Sequence, residues 1–234
     1  MNSSAMHISF KLECDKTYGL ESPAFEVEEI DYWLNQGVRT FVKTRYSGLN
    51  LKKESFEESQ KRIDDLRTLV VEDQRAVTET AGTGDYKPNS WTATLPNDYW
   101  FTLGEEVDIR YSDISKTPIA NTDKRQGVTE ATVNNYRAAL DNPYSEHRLH
   151  YEEAKPIRLF LGNTVELITD GDYDILYYYL RYLRKPVDIV YASVDCDLPE
   201  HTHDEIVKTA VRMALENIEQ PRYGSYAQEV SVME

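Results

Sequence analysis

Apolar positions near the start of the chain recur with the spacing of a helix. Residues 25–48 carry an apolar residue every three or four positions, which predicts one long helix with a single buried face. The residues of that face are Ile30, Trp33, Leu34, Val38, Phe41, Val42 and Tyr46. Ser22-Pro23 precedes this helix and Gly48 ends it. A sparser repeat predicts a second helix, antiparallel to the first, whose apolar side holds Phe56, Ile63, Leu66, Leu69 and Val70.

A different pattern precedes these helices. From Met6 to Cys14, apolar residues alternate with polar ones. A period of two is that of a strand, although so short a segment does not distinguish a strand from a helix. The residue pattern alone therefore leaves this element open.

The middle of the chain has the composition of strands. "WTATL" and "EEVDIRY" flank a break at Pro96-Asn97-Asp98, and "PIRLFLGNTVELI" predicts a hairpin that turns at Gly162-Asn163. After the acidic turn "DGDYD", the segment "ILYYYLRYL" predicts a third antiparallel strand with apolar residues on both faces. "VTEATVNNYRAAL" predicts a short helix that Thr129 caps, with Val133, Tyr136 and Leu140 on one side.

The last part of the chain predicts an amphipathic helix followed by an extended tail. Pro199 suits a first helical turn, and the apolar stripe after it runs from Ile206 to Ile218. Pro221 and Gly224 then interrupt the helix. We expect the tail to lie along a partner, because it carries apolar and aromatic residues that a solvated end does not need. These interface residues are Tyr223, Tyr226, Val230 and Val232.

Together these patterns predict one α+β domain over residues 1–234. Within it we expect a helical segment at 1–75, with an N-terminal helical pair, and an antiparallel, strand-rich region with a short helix at 76–190. A C-terminal amphipathic helix at 191–219 and an extended tail at 220–234 complete the predicted architecture.

Composition excludes some classes of function. The chain has 26 basic and 41 acidic residues and a formal charge of -15. A protein that grips duplex DNA through its phosphates needs a basic face, so we expect weak DNA binding or none. With only Cys14 and Cys196 present, a disulfide framework is not expected, and a reducing compartment such as a cytoplasm fits. Neither a membrane-spanning apolar run nor a signal-peptide pattern is found.

One segment, "DCDLPEHTHDE", has a composition that suggests zinc. Cys196, His201 and His203 could ligate a metal and serve a small metal-dependent hydrolase. Two positions along a helix differ by about 200°, however, so the two histidines face opposite sides of a helical turn. We therefore expect His201 to be exposed and His203 to cover the edge of the core, with no metal, no cofactor and no catalytic residue in the chain.

Several strings, in a consistent order along the chain, resemble a known family of virion proteins. They are "EEIDYWLNQGVRTFVKTRYSG" with "FEESQKRIDDLRTLV", "LPNDYWF", "NPYSEHRLHYEE", "YYLRYLRKPVDIV" and "DCDLPEHTHDEIVKTAVRMALENIE". The chain resembles the ring or connector proteins of crAss-like and related bacteriophages infecting Bacteroidales. More distantly, it is similar to head-to-tail adaptors and tail tubular A proteins of short-tailed phages. It departs from the pattern at Val27, where a capping residue or proline is usual, and at Gly37 inside the helix.

The resemblance implies a structural protein of the virion. Such proteins form a ring, usually of twelve copies, that joins the portal to the tail and leaves a channel for DNA. The resemblance also implies a helical first segment, in contrast to the alternation from Met6 to Cys14. Two alternatives stay open: the metal-dependent hydrolase, and an assembly scaffold or chaperone that is absent from the finished virion.

Overall fold

The structure, a computed structural model, describes residues 1–18, 25–47, 56–57, 59–81, 89–111, 123–149 and 153–217. The chain forms two compact units. The helical unit comprises Met1–Val70 with Lys185–Glu234, and the sheet unit comprises Val71–Arg184. The helices and antiparallel strands confirm the α+β prediction. The predicted tail, with Tyr223, Tyr226, Val230 and Val232, lies outside the described residues.

The helices follow the chain in the order α1 (Ser3–Tyr18), α2 (Val27–Ser47), α3 (Gln60–Leu66), α4 (Tyr136–Asp141) and α5 (His203–Asn217). All except α4 belong to the helical unit. In that unit α5 packs against both α1 and α2. Among the described residues, no helix combines the length and the apolar content needed to cross a bilayer.

The first segment is a helix, as the resemblance implied, and the strand pattern from Met6 to Cys14 was misleading. Met6, Phe10 and Cys14 are spaced four residues apart and are buried on one face of α1. Ile8 and Leu12 lie on another face and are 61% and 57% exposed. The alternation arises because apolar residues occupy two faces of this helix.

Helix α2 confirms the predicted long helix and explains its interior glycine. The predicted face is buried at Ile30, Leu34, Val38, Phe41 and Val42, whereas Trp33 and Tyr46 are half-buried. A methyl group at Gly37 would lie 2.9 Å from the carbonyl oxygen of Ile206 and 3.1 Å from Cβ of Ala210. Gly37 therefore allows α5 to approach α2 closely, and α2 runs unbroken from Val27.

The second predicted helix is shorter than expected. Helix α3 ends at Leu66, a 3-10 turn covers Arg67–Leu69, and Val70 begins a strand. Leu66 and Leu69 are fully buried, but Ile63 is half-buried and Val70 is exposed. The apolar spacing continued past the point at which the backbone changes to a strand, so the prediction placed the end of the helix too late.

The strands are β1 (Val70–Ala76), β2 (Thr78–Ala81), β3 (Asn89–Thr94), β4 (Tyr99–Tyr111), β5 (Asp123–Gly127), β6 (Thr129–Glu130), β7 (Ile157–Leu161), β8 (Thr164–Ile168) and β9 (Tyr173–Arg184). They form a four-stranded sheet in the order β1-β9-β4-β5 and a five-stranded sheet in the order β2-β3-β8-β7-β6. Val107 and Tyr178 of the first sheet share one buried core with Val165 and Leu167 of the second.

The predicted hairpin is confirmed in β7 and β8, and only Gly162 of its turn takes a positive φ, of 60°. The predicted third antiparallel strand is confirmed as β9, and it pairs with β4 in the other sheet instead of extending the β7–β8 hairpin. The register of β9 against β4 shifts at Leu176. Tyr178, Leu180 and Tyr182 are buried at every second position, but beyond the shift the buried residue is Ile175 and Leu176 is only half-buried. Such a bulge moves one residue out of the alternation.

The short helix was also placed too early. Thr129 does not cap it but lies in β6, where it pairs in parallel with Ile157 of β7. Helix α4 begins at Tyr136 and buries Leu140, whereas Val133 is 60% exposed. A strand forms here because the backbone N–H groups of Thr129 and Ala131 donate hydrogen bonds to the carbonyl oxygens of Pro156 and Arg158. Those partners lie far along the chain, so the local sequence does not reveal them.

Candidate assembly surface

The helical unit exposes a group of large apolar side chains, which we call the helical patch. Its members come from α1, α2 and the segment 185–197, and each is between 44% and 61% exposed. They are Ile8, Leu12, Tyr32, Val190 and Tyr191. Scattered single apolar residues are normal on a surface, whereas grouped ones are typical of a binding surface, which makes the helical patch a candidate.

Asp31 brings the members of the helical patch together. Its carboxylate lies 2.7 Å from Nε2 of His7 on α1 and accepts a hydrogen bond of 3.2 Å from the backbone N–H of Tyr191. The His7 ring also lies 4.7 Å from the Tyr191 ring, centroid to centroid. The sequence neighbours of these three residues are Ile8, Tyr32 and Val190, so the anchoring contacts join the backbone segments that carry the exposed apolar side chains.

A polar row on α2 holds the segment 185–197 in place. Asn35 donates to the carbonyl oxygen of Ile189 at 3.0 Å and accepts from its N–H at 2.7 Å, as a neighbouring strand would. One turn further along α2, Arg39 donates to Asp188 at 2.7 Å. With Asp31, these residues are spaced four apart, and a helix places that spacing on one face.

Further contacts hold the segment 185–197 near its other end, at Val194 and Asp195. The backbone N–H of Ser3 donates to Asp195 at 2.7 Å, and this hydrogen bond lowers the pKa of the Asp195 carboxyl. Val190 and Val194 form an isolated antiparallel bridge, and between them Ala192 has a φ of 54°. Left-handed backbone at a residue with a side chain is strained and persists only where its surroundings impose it. The backbone that carries Val190 and Tyr191 is therefore held in place before any partner binds.

A buried ionic cluster joins α2, α3 and the start of α5. Arg45 donates through Nε to Asp65 at 3.0 Å and also pairs with Glu205, while its guanidinium lies 4.7 Å from the centre of the Phe41 ring. His201 Nε2 lies 2.9 Å from the other oxygen of Asp65. The side chains of Arg45 and Asp65 are 3% and 1% exposed. Since buried charges must be paired, this cluster fixes the relative placement of the three helices.

The candidate zinc ligands have separate partners. His201 is half-exposed, as expected, and lies against Asp65, whereas His203 is buried with its Nε2 2.9 Å from the Leu198 carbonyl oxygen. Burial raises the pKa of the Cys196 thiol to about 11, so the thiol stays protonated at neutral pH. Within the described part of the chain, no three histidine, cysteine or acidic side chains converge as a metal site would require.

Two other polar segments, the turn at Asp170 and the turn at His147, have structural roles. Asp170 and Gly171 form a tight turn in which Asp170 accepts from the N–H of Asp172 at 3.0 Å, as predicted. His147 is buried in a 3-10 turn, and its backbone oxygen accepts a hydrogen bond from the Tyr173 hydroxyl. Burial and the neighbouring Arg148 lower the pKa of His147.

Sequence reasoning missed the residues that build the helical patch and the ionic cluster. Asp31, Asn35 and Arg39 share a polar face of α2, which was visible in the spacing, but nothing in the sequence pointed to their partners. Asn35 and Ile189 are 154 positions apart. Asp65 was hidden in the same way, because its partners belong to α2 and to the turn before α5.

Comparison with known proteins agrees with a role in assembly. A family described as phage tail ring protein 3/4 matches residues 8–222, a range that includes most of both units. Ring protein 4/5 of Bacteroides phage crAss001 is 23% identical, over 92% of this chain and 92% of that protein. The chain belongs to the phage tail ring protein 3/4 family.

Proposed function

We propose that this chain is a structural subunit of a closed ring in the head-to-tail connector of a bacteriophage. The ring joins the portal to the tail, usually with twelve copies, and leaves a channel through which the genome passes. The observation that carries this proposal is the family match over residues 8–222. In this proposal residues 1–234 act as a single connector domain, and the protein binds no cofactor and catalyses no reaction.

The charge of the chain supports passage of DNA without capture. Each subunit has a formal charge of -15, so twelve copies carry about -180. An acidic channel wall repels the phosphate backbone, and a net-negative subunit gains no affinity from the release of counterions. DNA therefore moves through the ring without a specific contact.

The helical patch supports assembly. A closed ring needs two different surfaces on each subunit, one for each neighbour, and stacking needs a further surface for the portal or another tail protein. A backbone that is already held in place reduces the entropy that is lost when a partner binds. We assign the helical patch to one of these contacts, in a virion protein assembled in the host cytoplasm.

The C-terminal tail provides a second contact in this proposal. Tyr223, Tyr226, Val230 and Val232 bind a neighbouring subunit or an adjacent ring through main-chain pairing and apolar pockets. Deletion of residues 220–234 should leave a folded subunit, because the apolar stripe of the C-terminal helix ends at Ile218. The same deletion should impair ring closure or stacking.

The test is the mass and shape of the purified protein, together with a protein inventory of finished virions. Native mass spectrometry and negative-stain images should show closed rings, and the virions should contain the protein. An Ile8→Ser/Tyr191→Ser double variant should reduce ring formation or stacking while the helical content stays unchanged. Absence of the protein from finished virions would instead favour a scaffold or chaperone.

A further inference from the structure

The outer face of the four-stranded sheet, on the side away from the shared core, contains a groove. The groove has a volume of about 370 Å³ and is formed by side chains of β1, β9, β4 and β5. Its lining residues are Glu72, Asp73, Gln74, Gly104, Glu105, Glu106, Arg125, Tyr179, Leu180 and Arg181. All of them belong to the sheet unit.

Charge pairs fix both walls of the groove. On one side Arg181 donates through Nε to Glu72 at 2.6 Å. On the other side Arg125 donates to Asp108 at 3.0 Å and lies over the Tyr179 ring at 3.7 Å from its centre. The Tyr179 hydroxyl donates to the same Asp108 carboxylate at 2.7 Å. These contacts hold the walls apart without a ligand.

Gly104 leaves the floor of the groove open. A methyl group placed on Gly104 would have no atom within 4 Å, and the residue does not adopt the left-handed backbone that favours glycine. The register of β4 against β9 shifts beside it, between Thr102 and Gly104. Bulges of this kind often lie next to functional sites. The backbone therefore accepts a side chain at this position, but the sequence leaves the space empty.

One acidic side chain in the groove has no partner of its own. Glu72 pairs with Arg181, Asp73 with Arg75, and Glu105 turns inward to Arg158. Arg125 is already engaged by Asp108. Among the described residues, Glu106 has neither a hydrogen bond nor an ion pair; the pKa of Arg125 is raised chiefly by its hydrogen bond to Asp108, and Glu106 adds only a minor contribution. Beside its open floor the groove thus presents one carboxylate that no hydrogen bond or ion pair of the described residues engages.

The same chain carries exposed basic side chains on its helical unit. Lys43 on α2, Lys61 on α3 and Arg67 in the turn after α3 are exposed and have no ion pair among the described residues. Helices α2 and α3 contact each other, so these three residues belong to one part of the unit. Long basic side chains present their charge at the end of a flexible apolar stem, which suits insertion into a groove.

We infer that the groove receives one of these basic side chains, Lys43, Lys61 or Arg67, from a neighbouring copy of the chain. The inference rests on the proposed ring, in which every subunit meets an identical neighbour through two different surfaces. The cation pairs with Glu106 above Gly104, and the fixed walls give the contact its direction. Because the pair forms at the edge of a polar groove, it contributes to the choice of partner as well as to affinity.

The first test fills the groove. Gly104→Val adds a side chain where there is open space, and valine favours a strand, so the variant should fold with an unchanged thermal midpoint. The fraction of the Gly104→Val protein that is found in closed rings should be at least tenfold lower than that of the wild-type protein. Thr78→Ile is the control, because it adds apolar bulk at an exposed strand position of β2 that does not line the groove.

The second test exchanges charges. Glu106→Lys should abolish rings, whereas Glu79→Lys, on an exposed position of β2, makes the same change in net charge outside the groove and should preserve them. One of Lys43→Glu, Lys61→Glu and Arg67→Glu should restore rings to the Glu106→Lys protein. Failure of all three to rescue would overturn the assignment to a neighbouring copy.

Wild-type behaviour separates this inference from the proposed function. If the wild-type protein forms no rings in solution and none in virions, the proposed function fails. If wild-type rings form and Gly104→Val rings form equally well, the groove inference alone is overturned. Normal solution rings of Gly104→Val that fail to join a virion would also overturn it, because the occupant would then belong to another protein.

Discussion

Replacing Asp65 with asparagine tests how strongly the buried ionic cluster holds the helical unit together. Asparagine has nearly the same shape but lacks the charge that Arg45 and His201 face. The side chain of Arg45 is 3% exposed, so it cannot recover hydration without local unfolding. Removal of one partner of a buried ion pair costs about 3–5 kcal/mol, and the remaining partner, Glu205, places this case near 3 kcal/mol.

The assay is urea unfolding followed by circular dichroism at 222 nm, which reports mainly on the helices. With a typical urea dependence of about 2 kcal/mol per molar, a loss of about 3 kcal/mol lowers the midpoint by about 1.5 M. Asp123→Asn is the matched control, because its pair with Arg110 is exposed and such pairs add little to stability. Equal midpoints for Asp65→Asn and the wild-type protein would refute the assigned role of the cluster.

Three further predictions follow from local geometry. Gly37→Ala should destabilise the protein by about 1–3 kcal/mol in urea unfolding, because its methyl group meets the Ile206 carbonyl oxygen at 2.9 Å, whereas Gly104→Ala should not. The pKa of His147 is lowered in the folded protein, so as the pH falls the unfolded chain binds a proton before the folded one. The free energy of unfolding should therefore decrease below about pH 6.5, and His147→Gln should make that free energy less dependent on pH in urea titrations. Burial raises the pKa of the Cys196 thiol to about 11. At pH 7.5 this thiol should therefore react with a disulfide reagent at least tenfold more slowly in the folded than in the unfolded protein. A fast reaction of the folded protein would contradict the burial of Cys196.

Elements with one buried face could be predicted from the sequence. Helices α2 and α5 each bury a single stripe, so their helical period is visible in the residues themselves. Helix α1 could not be recognised from its pattern, because Ile8 and Leu12 add a second apolar face. That face belongs to the helical patch, so the feature that obscured the helix is the one assigned to assembly.

Pairing between distant segments could not be predicted. The assignment of β9 to β4 and the shift at Leu176 depend on a partner more than sixty positions away, as in the pair Ile109 and Ile175. The turn at Gly162 was predictable because the turn itself restricts the residue type. The helical patch and the groove combine residues from several segments, and only the folded chain brings those residues together.

Cryo-electron microscopy of the finished virion neck would show whether this chain is a subunit of a connector ring. We expect a closed ring between portal and tail whose subunits each match the helical unit and the sheet unit, with the groove of one subunit occupied by a basic side chain of the next. A neck map in which every ring is accounted for by other proteins would contradict the claim that this chain is a connector subunit.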